Sequence, residues 1–172
     1  MIDRAQTTTT THQDKPLTIA EAEAALQAAR ETAHHLRFNA REWPAHRRAA
    51  IEAGDGQKLV AVRQLMAEAE DLATCAEIAA ARAEVALAKT VLRVHNEGPH
   101  ADAIRLMDFA KAQEAAAQDS DAVYSAGQTR RGAVAAIGAA MDRQRELEKA
   151  VFTAHTKAHA LVTAALAKEE NT

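Results

Sequence analysis

Small and apolar residues recur at alternating spacings of three and four along most of this chain, and no other feature limits its folding as strongly. The first run is Ile19, Ala22, Leu26, Ala29, Ala33, Leu36, Ala40 and Trp43, a seam that holds one face of a helix against a neighbour over several turns. A second run holds Leu59, Val62, Met66, Ala69, Ala73, Ala76, Ala80, Ala83, Leu87 and Val94, widened by Leu65, Leu72, Ile78, Val85 and Leu92. A third holds Ala133, Ile137, Ala140, Leu147, Val151, Ala154, Ala158, Leu161 and Ala165. Strands would require an alternation of period two, which is not found. The chain reads as all-α.

Local signals divide these runs into helices of about residues 18–53, 57–97, 100–126 and 129–169. Thr18 followed by Glu21 is a capping box, in which the hydroxyl and the carboxylate each accept from an otherwise unsatisfied backbone amide. Pro44 predicts a kink or restart near Trp43. Gly54, Asp55 and Gly56 read as a tight turn, with Gly54 at a left-handed cap and Asp55 opening the next helix. Asn96, Glu97, Gly98 and Pro99 read as the stop of the second helix, and Gly127, Gln128 and Thr129 as the break before the fourth. Asp119, Ser120 and Asp121 offer another interruption in the third helix, the least regular of the four, where Ile104, Leu106, Met107, Phe109, Val123 and Tyr124 flank an alanine and glutamine middle. Short turns favour an up-down four-helix bundle of antiparallel helices with coiled-coil-like packing, and two stacked or end-to-end hairpins are the alternative. Gly132 and Gly138 mark either weak spots or close helix approaches. Residues 1–16, polar and threonine-rich, read as an extended N-terminal arm that a partner subunit would hold.

The seams are thin. About a quarter of the chain is alanine, and aromatic residues make up only 3%. Alanine favours helix but removes little apolar area from water, so the remaining apolar stripes call for a partner chain. A homo-oligomer or larger assembly of protein subunits is therefore expected. The net charge of −3 argues against nucleic-acid binding by overall charge. The single Cys75 excludes an internal disulfide and a cysteine-based zinc cluster, and its alanine neighbours predict a small buried side chain rather than a reactive thiol. No apolar run reaches membrane-spanning length and the N-terminus lacks a secretory apolar region, so a cytoplasmic protein made in a reducing compartment, with no membrane association, is expected.

Catalytic and metal chemistry find little footing. Glu31 and His34 match one Glu-x-x-His unit of ferritin-like metal-binding bundles, but a second copy is required. The other occurrence, Glu97 to His100, contains Gly98 and Pro99, and Ala33 rather than His34 lies on the seam. His155 and His159 are four apart on a helix, and bundle topology would bring His100, with His95, towards them as a metal-site candidate. No phosphate-binding glycine loop or nucleophile elbow is present, so neither a catalytic residue nor a cofactor is predicted.

One surface stands out for binding. Arg37, Arg41, Arg47, Arg48, Lys58 and Arg63 surround the first turn, and the bundle topology places Arg130 and Arg131 at the same end. Trp43 and His46 could anchor a partner there. The partner-binding candidates are accordingly Arg41, Trp43, Arg47, Arg48, Lys58, Arg130 and Arg131. Glu42, Glu52, Asp55, Asp119 and Asp121 offset much of that charge. The sequence thus favours a non-enzymatic structural or assembly protein, such as a component of a virus particle or other multi-subunit assembly. A small nucleic-acid-associated or regulatory protein using the basic end is the first alternative, and a ferritin-like metal-binding bundle the second.

Overall fold

A computed structural model describes residues 16–169; the expected arm, apart from Pro16, lies outside them. The described residues are helical with short connections and contain no strand. The helices are α1 (Ile19–Ala40), α2 (Trp43–Glu52), α3 (Gly56–His95), α4 (Ala101–Ala116) and α5 (Ser120–Glu169).

Local chemistry fixes the first half of this order. The Thr18 hydroxyl accepts from the Glu21 amide at 3.2 Å and the Glu21 carboxylate accepts from the Thr18 amide at 2.7 Å, completing the capping box of α1. α1 ends at Ala40, and α2 begins with Pro44 in its first turn, where the missing N–H has no helical partner to lose. Gly54 reverses the chain with φ +66°, a region open to glycine, and the Asp55 carboxylate caps α3 by accepting from the Lys58 amide at 2.9 Å. α1 then runs antiparallel along α3, tied by Arg37 to Glu77 at 2.8 Å and by the Arg93 guanidinium donating to the Leu17 carbonyl at 2.7 Å.

Beyond His95 the structure departs from the sequence reading. The expected stop at residues 96–99 is a π turn, Asn96–His100, that joins α3 directly to α4. Pro99 cannot donate the usual bond to the carbonyl four residues back; the wider i→i−5 turn carries the helix past it without a reversal. Gly98 does not take up the left-handed conformation a stop would use, which among the described residues occurs at Gly54 alone. Residues 56–116 therefore form one near-continuous rod of about 90 Å.

The remaining reversal falls at residues 117–119, where the Asp119 carboxylate accepts from the Ala122 amide at 2.7 Å. Gly127 and Thr129 lie inside α5, and the Thr129 hydroxyl donates to the Ser125 carbonyl instead of capping. α5 returns antiparallel along α4, the π turn and part of α3. The architecture is thus three long helical stretches rather than an up-down four-helix bundle. One rod is flanked by α1 and α2 at one end and by α5 over the other, close to the end-to-end hairpin alternative.

The core is correspondingly thin. It consists of alanines (Ala22, Ala33, Ala50, Ala73, Ala81, Ala103, Ala110, Ala126, Ala133, Ala140 and Ala154) with Leu26, Val62 and Leu147, and no large side chain is fully buried. The predicted seams of α1 and of the second half of α5 are buried or half-buried as read from spacing. Gly132 and Gly138 have open space where a side chain would be, so neither marks a close approach. Cys75, expected inside, is exposed. It lies two positions from the buried Ala73, turned away from the seam.

Candidate functional site

The basic residues singled out above are not gathered at one end. Arg41, Trp43, Arg47, Arg48 and Lys58 lie in and around α2 and the first turn of α3, with Trp43 half-buried and its ring 5.5 Å from that of His46. Arg130 and Arg131 lie near the far tip, beside the end of α4, where Arg130 pairs with Glu114 at 2.9 Å. Because α3 continues through the π turn, the chain makes one reversal fewer than a four-helix bundle, and most of the rod's length separates the two groups.

The histidines are divided for the same reason. His155 and His159 line a groove with Arg82, Val85 and Lys89. His100 lies further along the rod, beside Ile137 and Met141. His34 is exposed. Among the described residues no group of three or more His, Cys, Asp or Glu is placed to hold a metal ion.

His95, expected beside His155, has a different structural place. His95 is buried, and its Nε2–H donates to the Ala140 carbonyl at 3.0 Å, joining the last turn of α3 to the middle of α5. The carbonyl can only accept, so this nitrogen carries the hydrogen. The His100 ring lies 6.3 Å from that of His95, and its buried Nδ1 has no partner. The widened turn brings these two rings, five apart in sequence, to the same side of the helix.

The most extensive feature is the hairpin of α4 and α5. Around the middle of α3 three helices share an interface: Glu84 accepts from Lys157 of α5 at 2.7 Å and lies 3.9 Å from Arg30 of α1. Beyond the π turn, α1 is no longer alongside and only α4 and α5 remain in contact. Two helices have a seam but no interior. Ala103 and Ala110 meet Ala126, Ala133 and Ala140 along that seam, and the larger apolar side chains project to either side. On one side, two open grooves are lined by Ile104, Val134, Ile137 and Met141 together with His100, Glu114, Arg130, Arg131, Arg145 and Glu148. On the other, Leu106, Ala136 and Ala139 line a groove with Pro99, Asp102 and Arg143. Ile104, Phe109, Val123, Val134 and Met141 are each more than two-fifths exposed.

The total surface agrees. The chain exposes 13,032 Å². The eighteen residues outside the described range can account for at most about 2,900 Å² of this even as a fully solvated chain. The rest is about 10,000 Å², where a compact body of that size exposes about 7,500 Å². No helix among the described residues is long and apolar enough to cross a membrane. No protein-family model, curated protein or solved structure matches the chain.

Proposed function

We propose that this chain is a non-enzymatic structural or assembly protein that acts through contacts with other protein subunits. The observation that carries this reading is the α4–α5 hairpin, two helices thick, with an alanine seam and larger apolar side chains open on both sides. Helices bury their apolar stripes against further layers, and a two-helix layer leaves both sides wet until another chain covers them. A multi-subunit particle is a natural setting for such an element. The alternative of a nucleic-acid partner loses its main geometric support, since the two arginine groups lie far apart and Arg130 is neutralised by Glu114.

Sedimentation velocity over a hundredfold concentration range, combined with limited proteolysis, tests the reading. Association that grows with concentration, or stable capture in a complex with another protein, together with slower cleavage within residues 100–148, is the expected result. A chain that stays monomeric, enters no complex and resists cleavage throughout would contradict it.

A further inference from the structure

We infer that the side of the α4–α5 hairpin bearing Val134, Ile137 and Met141 is covered by a second copy of this chain, packed antiparallel about a two-fold axis to form a four-helix bundle. This rests on the assembly reading above and names its surface and occupant.

The register of α5 supplies the first argument. Gly127, Val134, Met141 and Glu148 recur at intervals of seven, as do Arg130, Ile137 and Gln144. A seven-residue interval keeps positions on one side of a helix packed against another, so the two grooves they line are parts of a single strip. The strip is apolar in the middle, with Arg130, Arg131 and Glu114 towards the tip and Arg145 and Glu148 towards the π-turn end. Arg130 is paired with Glu114 at 2.9 Å and Arg145 with Asp142 at 3.3 Å, which leaves Arg131 at one end and Glu148 at the other.

This order is self-complementary. An antiparallel two-fold pairing centred between Ile137 and Met141 sets Ile137 of each copy against Met141 of the other. The same operation sets Arg131 of each copy against Glu148 of the other, because both pairs are centred within half a residue of position 139. Among the described residues Arg131 has no ion pair, and Glu148 accepts only the Gln144 side-chain amide, at 2.8 Å. The opposite side lacks this property. There Asp102 is paired with Arg105 at 2.9 Å and Arg143 with Glu146 at 2.8 Å, so the charges of that groove are already matched within the chain.

The size is also sufficient. Twenty-five residues of α5, from 127 to 151, span about 36 Å, and two adjacent helices are about 20 Å wide. The footprint is about 720 Å² per copy and about 1,400 Å² in all, within the range of stable specific interfaces and below the surface excess of the single chain. A small-residue seam within each hairpin and larger apolar residues between hairpins would give the bundle two packed layers.

Sedimentation equilibrium of the full chain provides the test, with circular dichroism confirming that each variant stays helical. The wild type is expected to dimerise. Val134→Glu with Met141→Glu, both exposed positions, should weaken dimerisation at least a hundredfold. Arg131→Glu and Glu148→Arg should each weaken it about tenfold at low salt, and the double variant should return to within about threefold of wild type. A dimer unaffected by Val134→Glu with Met141→Glu would overturn this surface while leaving self-assembly intact. Failure of the double charge variant to recover would overturn the antiparallel register. A chain that is always monomeric yet forms a stable complex with a different protein would overturn the second copy and leave the assembly reading standing.

Discussion

The Nε2–H of His95 donates to the carbonyl oxygen of Ala140 at 3.0 Å, in the buried interface where the rod changes from three helices to two. Ala140 lies inside α5, so its carbonyl also accepts the amide four residues on, and the imidazole adds a second bond to an already satisfied acceptor. Replacing His95 by Leu therefore leaves no orphaned acceptor. The expected loss is about 1 kcal/mol, the net worth of one intramolecular hydrogen bond, read as a lower midpoint in urea with unchanged slope.

The alanine seams give a sharper expectation. Ala73, Ala110 and Ala133 have no exposed surface, so enlarging any of them to Leu forces the helices apart. Each change should destabilise by about 1–3 kcal/mol. Ala112→Leu, at an exposed position two residues from Ala110, should leave the thermal midpoint nearly unchanged.

The caps can be tested separately. Thr18→Ala removes the hydroxyl that accepts from the Glu21 amide and Asp55→Ala the carboxylate that accepts from the Lys58 amide, and each should cost about 1 kcal/mol. Gly54→Ala places a methyl group at φ +66° and should cost a similar amount, about 1 kcal/mol, even though nothing nearby obstructs it. Thermal unfolding monitored by circular dichroism measures all three.

How much of this was legible follows from which signals are local. The Thr18 box, the restart at Trp43 and Pro44, the turn at Gly54 and the α5 seam each depend on residues within a turn or two of one another, and spacing reveals them. The π turn does not work that way. Gly98 and Pro99 spell a helix stop, but a proline can also be passed by widening one turn, and packing against α5 around His95 and Ala140 selects between the two. That choice moved Arg130, Arg131 and His100 to other neighbours, so the proposed basic end and histidine cluster went with it. Cys75 reads as buried because Ala73, Ala76, Ala79 and Ala80 crowd its neighbourhood, and so many alanines hide which of them form the seam.

The alternative readings carry their own measurements. Elemental analysis of the purified chain should find no stoichiometric metal, since His100, His155 and His159 do not converge on one point. Duplex DNA should not be retarded at low salt, and Arg47→Ala with Arg48→Ala should change nothing; steep salt-dependent binding abolished by that pair would restore the nucleic-acid reading.

Hydrogen exchange at two protein concentrations addresses the central claim most directly, because it reports which helices a partner covers. At high concentration, amides in residues 100–115 and 125–148 should exchange at least tenfold more slowly than at low concentration, while those in residues 73–90 should not change. Equal protection of the α4–α5 hairpin at both concentrations, with no slowing on adding any other protein, would contradict the account.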